Sequence, residues 1–227
     1  MTPQATPTRR EILDALWHGR DPFAGVPGRL YAVDPQGWRS DHRFLTEALD
    51  ARRPSVVVEI GAWKGMSALF MAEHLERAGI AGTVVCVDTW LGAVDHWADP
   101  DLHEELCVEG GFPALYRKFL ANVLSRNLAH RIVPLPLDST NAAALFALRG
   151  LAAGVIHLDA GHEEASVRAD LEAWWPQLAP GGWLVADDYD PAGGRFPGVQ
   201  RAVDGFAAAR GLAGPRHHYG KCVLVKP

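Results

Sequence analysis

The sequence predicts an α/β fold: a mostly parallel, seven-stranded sheet with helices on both faces. Three observations predict it. The strand candidates, such as Ser55–Ile60 (SVVVEI) and Thr83–Val87 (TVVCV), are continuous apolar, β-branched runs, the mark of strands buried on both faces. They alternate with helical segments through short connections, as parallel sheets require. Five successive strands end in acids: Glu59, Asp88, Asp138, Asp159 and the pair Asp187-Asp188.

Glu11–Trp17 reads as a short helix in an otherwise irregular opening stretch, followed by turn residues from Pro22 to Gly37. Arg43–Ala51 is the next helix, and Ser55–Ile60 the first strand. Met66–Ala78 has helical spacing, and Thr83–Val87 is the second strand. Pro113–Leu128 is a helix with proline placed at its start. Arg131–Leu137 (RIVPLPL) is a third strand, put at an edge by its two prolines. Asn141–Leu148 is a short helix and Val155–Leu158 the fourth strand. Glu163–Leu178 is a helix broken by Pro180-Gly181-Gly182, and Trp183–Ala186 is the fifth strand. Val199–Arg210 is a helix. Lys221–Val225 is the last strand, paired with a short one near Arg216–Tyr219.

One domain is expected. Residues 1–40 form an N-terminal arm or lid, and 41–227 the domain proper. The long irregular stretch at 90–111 is a lid-like insertion, since loops of that length are usually functional. With 48% hydrophobic and 22% charged residues, the composition is that of an ordinary globular chain. A net charge of −5 gives no footprint for nucleic acid and no polybasic segment for a membrane surface. There is no apolar signal region and no membrane-spanning run. Cys86, Cys107 and Cys222 have neither disulfide-framework nor metal spacing, which fits the reduced thiols of a cytoplasmic protein.

In an open α/β sheet, ligands bind beyond the carboxyl ends of the strands. The strand-end acids are therefore candidate site residues, although Asp138 also suits a helix cap. The first loop, Glu59-Ile60-Gly61-Ala62-Trp63-Lys64-Gly65-Met66-Ser67, lacks the middle glycine of a dinucleotide fingerprint and has no Walker lysine. Glu59 is a poor neighbour for phosphate and a good one for a cation. Asp88 ends the next strand, where a carboxylate takes ribose hydroxyls. A cationic nucleoside without phosphates fits both: S-adenosylmethionine (SAM).

The ExGxxxGxS loop, the Val-Asp-Thr-Trp after the second strand and the stretch Ile156–Tyr189 resemble class I SAM-dependent methyltransferases with a Rossmann-like fold. Within that class the chain resembles small-molecule O-methyltransferases of the macrolide-sugar (macrocin) type, over about residues 40–210. It implies strand order 3-2-1-4-5-7-6. It also implies that Glu59, Gly61, Trp63, Lys64, Gly65 and Ser67 hold the methionine end of SAM. Asp88, Thr89 and Trp90 would serve the ribose, Asp138 and Ser139 the adenine side, and Asp159 would face both cofactor and metal. Many relatives carry a second acid where this chain has Gly161.

Asp159, Asp187 and Asp188 end adjacent strands and would repel one another without a cation among them. An all-oxygen site suits Mg²⁺, and the resemblance implies Mg²⁺ at these three positions. It also implies a base at the offset of His162, working with Asp159. The expected function is Mg²⁺-assisted O-methylation of a glycosylated or polyhydroxylated secondary metabolite. The expected partners are that hydroxyl acceptor and, as an option left open, a second copy of the chain. Gly161 keeps a second reading alive: a SAM-binding protein without methyl transfer, acting as a regulator or accessory partner. An NAD-dependent oxidoreductase lacks its glycine fingerprint here, and a serine hydrolase its GxSxG elbow. Trp63, Trp90 and Trp97 are candidate pocket residues. Trp174 and Trp175 are expected to be packing residues, and His96, His103, His217 and His218 to be solvated.

Overall fold

The computed structural model describes residues 7–27, 31–37 and 40–227. Of the expected arm, residues 1–6, 28–30 and 38–39, including the predicted turn glycine Gly28, lie outside the described residues. The chain runs α1 (Arg9–Trp17), α2 (Arg43–Arg52), β1 (Val56–Ile60), α3 (Met66–Arg77), β2 (Thr83–Val87), α4 (Val94–Ala98) and α5 (Pro100–Glu105). It continues α6 (Leu115–Ser125), β3 (Ile132–Leu135), α7 (Ser139–Arg149), β4 (Ala153–Leu158), α8 (Glu164–Trp174), β5 (Leu178–Ala186), α9 (Pro197–Ala209), β6 (Arg216–His218) and β7 (Lys221–Val225).

The seven strands form one sheet in the order β3-β2-β1-β4-β5-β7-β6. The first five are parallel, while β7 returns antiparallel beside β5 and carries β6 on its far edge. The proline-bearing β3 is indeed an edge strand. Alternation along the strands divides the core into two layers. Val56, Val58 and Ile60 face the layer that also holds α1, α7, α8 and α9. Val57, Val84, Val155, Val185 and Val223 face the layer built on α2, α3 and α6.

Three elements depart from the sequence expectation. The stretch 90–111 is not irregular: Asp99 caps α5 by accepting the Asp101 N–H, and Pro100 starts that helix with its ring preset for helical φ. The helix expected over Glu163–Leu178 ends at Trp174, and one 3-10 turn, Trp175–Gln177, leads directly into β5. Pro180, Gly181 and Gly182 therefore lie inside a strand, next to a register shift against β4 between Ala153 and Val155. A bulge is where a sheet tolerates proline and glycine. Finally, Pro113 precedes the cap residue Ala114 rather than opening α6.

Candidate active site

A cavity of about 1090 Å³ opens beyond the carboxyl ends of the parallel strands. It exceeds the roughly 300–1,000 Å³ of an ordinary small-molecule pocket and has room for two ligands side by side. Gly61, Trp63, Asp88, Thr89, Asp138, Ser139, Asp159, His162, Asp187 and Asp188 all line it. Glu59, Lys64, Gly65, Ser67 and Trp90, also expected to hold the cofactor, do not.

At one side stands Asp88. Its Oδ2 accepts the Trp63 N–H at 2.8 Å and its Oδ1 the Trp90 N–H at 2.7 Å. Those two bonds fix the carboxylate while its remaining lone pairs stay available for ligand hydroxyls. Burial pushes its carboxyl above the usual range, against the lowering effect of these N–H groups. Trp63 and Trp90 both adopt left-handed backbone, an uncommon conformation for tryptophan that the turns at these strand ends impose. Gly61, at φ +86°, passes so close to the β4 end that a Cβ would stand 1.9 Å from the Asp159 carbonyl oxygen. Gly61 and Trp63 on the lining and an anchored acid at the end of β2 are a set that SAM would fit.

The five exceptions have physical reasons. Glu59 alternates to the inner face of β1, where it is fully buried, accepts from Ser67 Oγ and meets His157 Nδ1 at 3.2 Å. Burial pushes its carboxyl up to about 8, so it is neutral at pH 7. The Lys64 side chain, also fully buried, turns to Asp34 at 2.7 Å and Glu105 at 2.5 Å. Gly65 lies under the Phe119 ring. The Trp90 ring packs on Tyr116 and Phe119, and its Nε1 donates to the Trp63 carbonyl. At the positions expected to serve the adenine, Asp138 is the cap of α7: it accepts from Asn141 and Thr140, which lowers its carboxyl to about 2. Ser139 Oγ accepts from Trp174 Nε1 at 2.9 Å.

The opposite side is acidic. Asp159, Asp187 and Asp188 follow β4 and β5, with the Asp159 N–H on the Ile60 carbonyl and the Asp187 N–H on the Leu158 carbonyl. His162 Nε2 lies 3.0 Å from Asp188 Oδ2, and its ring stacks on Phe196 at 3.9 Å. The Asp188 bond raises the His162 pKa above its ordinary value, against partial burial. Burial, then the neighbouring Asp187 charge, pushes the Asp159 carboxyl well up. Asp159, His162 and Asp188 each offer a ligand atom within 4.8 Å of the others. The carboxyls of Asp159 and Asp188 fit a divalent cation, which would keep its other positions for small oxygen ligands, with the imidazole beside it.

Sequence reasoning missed Lys221. It is fully buried, donates to Asp187 Oδ2 and lies 3.3 Å from His157 Nε2. A lysine opening a strand reads as solvated; the one available signal was a row of polar residues interrupting apolar strands at Glu59, His157 and Lys221. His96 was also undervalued. It lines the cavity with its ring 4.5 Å from that of Trp63. His217, exposed as expected, stands on the rim with Arg195 and Tyr219. Trp97 is half-exposed and absent from the lining. Trp174 and Trp175 are both core residues.

A sheet in this order, with a glycine turn after β1 and an anchored acid after β2, defines the Rossmann-like methyltransferase fold. The chain belongs to a methyltransferase family: the family model described as a methyltransferase domain matches residues 58–189. Among solved structures it is similar to the O-methyltransferase NovP, at 20% identity over 81% of this chain and 77% of that one, with a TM-score of 0.58. It is similar to the calicheamicin methyltransferase CalS11 at 20% identity, covering 80% and 77%, with a TM-score of 0.56. An O-methyltransferase from Bacillus cereus in complex with SAH (S-adenosylhomocysteine) aligns over 98% of this chain and 93% of that one, at 16% identity and a TM-score of 0.58. At these identities the likeness is one of fold. No curated protein matches the chain.

Proposed function

We propose that the protein is a SAM-dependent O-methyltransferase acting, with help from a divalent cation such as Mg²⁺, on a hydroxyl of a glycosylated or polyhydroxylated secondary metabolite. The observation that carries this reading is one cavity with an anchored ribose acid, Asp88, on one side and the Asp159–His162–Asp188 group on the other. O-methyltransferases such as NovP and CalS11 share the fold, which supports the choice of oxygen as acceptor.

SAM would supply an electrophilic methyl group. The chain's own residues do the rest. Asp88 orients the nucleoside, and the backbone at 61–63 lies alongside it. Asp188 holds His162 by Nε2, so that in the neutral ring Nδ1 carries the lone pair that takes the acceptor proton. This His–Asp pair supplies a base although Gly161 has no carboxylate, which favours transfer over cofactor binding alone. Against a free hydroxyl near 15.7, even a histidine raised above its ordinary 6.5 faces a gap of at most roughly 9 units, or about 12 kcal/mol. Proton removal must therefore accompany methyl arrival, with positive charge beside the oxygen. Correct placement contributes on the order of 7–11 kcal/mol to the rate. The arm before α2 and the insertion carrying α4 and α5 are assigned here as a cover that excludes water; Gly37, Ala93 and His96 border the cavity.

The test is thermal unfolding with SAM, SAH or NAD, followed by labelled methyl transfer to a panel of hydroxyl acceptors. Saturation at 100 times Kd adds about 2.7 kcal/mol, or roughly 5–11 °C in Tm. Both adenosyl ligands should give that shift and NAD none. No shift with SAH refutes the proposal. Binding without transfer to any acceptor favours the regulatory reading.

A further inference from the structure

Behind the acidic end of the cavity lies a buried cation, Lys221. Glu59 of β1 pairs in register with His157 of β4, and His157 with Val185 of β5. Asp187 stands two residues beyond Val185, on the same face by strand alternation. Across the antiparallel pair Val185 meets Val223, which brings Lys221 beside Asp187. The result is a buried polar row across four strands. Neutral His157, whose pKa burial and Lys221 lower to about 3, receives the ammonium at Nε2 and turns Nδ1–H to Glu59. The ammonium's other partner is Asp187 Oδ2.

His157, Asp159 and Asp187 form a group with ligand atoms within 4.8 Å of one another, and Lys221 contacts two of the three. Asp187 Oδ1 also accepts the Asp188 N–H at 2.8 Å. Both oxygens of Asp187 are thus engaged by the protein, whereas the group Asp159, His162 and Asp188 does not include it.

We propose that Lys221 is a built-in counter-cation that withdraws Asp187 from the divalent site, leaving a centre of Asp159 and Asp188 whose affinity the neighbouring ammonium holds down. The proposal rests on the functional reading above for placing a divalent cation there at all. Its physical content is charge. Ligand charge and number set the affinity of oxygen sites. A dication arriving here meets the carboxyls of Asp159 and Asp188, while the third, Asp187, is neutralised by the ammonium. Lys221 is a positioning residue: it acts on the site through Asp187.

The probe is Mn²⁺, titrated into the full chain without SAM or acceptor and followed by the free-ion paramagnetic resonance signal and by calorimetry. Lys221→Met should tighten Mn²⁺ binding by at least about tenfold, or ~1.4 kcal/mol, because it frees Asp187 and removes the repelling charge. The charge-neutral pair Lys221→Met with Asp187→Asn should stay within about threefold of the parent. Unaltered affinity in Lys221→Met overturns the proposal. So does a loss of about tenfold or more in the double variant, which would make Asp187 a ligand, and so does the absence of Mn²⁺ binding in every form. If Lys221→Met fails to fold because it buries an unpaired carboxylate, the double variant decides alone. SAH binding is measured on the same preparations. Its absence in the parent would sink the methyl-transfer reading and leave the Mn²⁺ result standing.

Discussion

Asp88 has two backbone N–H groups spending one bond on each of its oxygens, so it cannot swing away from the cavity. A charged acceptor in a fixed place is worth about 1.5–3 kcal/mol per hydrogen bond. Asp88→Ala should therefore weaken SAH binding by about 100-fold or more when two ribose bonds are lost, as isothermal titration would show; a change within about threefold would remove Asp88 from the ribose. His162 is different, because it should matter to transfer and not to cofactor affinity. His162→Ala should cost roughly 10²–10⁴ in turnover while SAH affinity holds. Parallel loss of both would make His162 a structural residue. The two residues were legible from sequence for one reason: the end of a buried strand fixes where the next residues stand. Asp88, Asp159 and His162 come after strands with unmistakable apolar runs. Lys221 was not legible, because its partner Asp187 is 34 positions away and the contact exists only once β7 returns beside β5.

At the scale of elements, the sheet and its flanking helices were readable because each is a long apolar signal. The cover was not. Nothing local shows that Lys64, in a loop that resembles a cofactor cradle, is instead the centre of an ion cluster. Its ammonium joins Asp34 before α2 to Glu105 at the end of α5, and Lys118 of α6 adds a second bond to Asp34 at 3.0 Å. Asn122 completes the tie: it takes the Asp34 N–H, and its Nδ2 donates to the carbonyls of Asp34 and Lys64. One loop thus fastens the 31–37 segment and the insertion to the glycine turn. Lys64→Met should release both acids, which are partly exposed and can take up water. The stability loss is accordingly set near 1–2 kcal/mol rather than the 3–5 of a fully buried pair. The clearer readout is amide exchange. Residues 31–37 and 100–105 should exchange at least about tenfold faster, with the β1–β4 core unchanged. Uniform exchange across the chain, or none beyond the parent's, would mean the cluster does not hold these segments.

The buried row that crosses the sheet also sets how the whole molecule responds to pH. Glu59 has an ordinary pKa of 4.5 and a folded value of about 8; His157 has an ordinary 6.5 and a folded value of about 3. Between about pH 4.5 and 6.5 the folded pair carries one proton, on Glu59, and the unfolded pair also carries one, on His157. The two slopes cancel and stability is level. Above about pH 6.5 the unfolded pair loses its last proton while Glu59 keeps its own up to about 8. The folded form then binds more protons, so stability falls as pH rises, by about 2 kcal/mol over that window. Below about pH 4.5 the unfolded pair binds two protons and the folded pair one, so stability falls again as pH drops toward 3. Glu59→Gln keeps the shape and the bonds to Ser67 and His157 but removes the titration. Urea unfolding of parent and variant should therefore diverge from about pH 4.5 to 8, and between about 6.5 and 8 the variant is level while the parent falls. The parent loses those ~2 kcal/mol relative to Glu59→Gln, and the difference between the two disappears as a slope beyond the folded pKa. Parallel curves across that range would mean that Glu59 is ionised in the folded protein. The Lys221 ammonium would then be shared between two carboxylates rather than committed to Asp187.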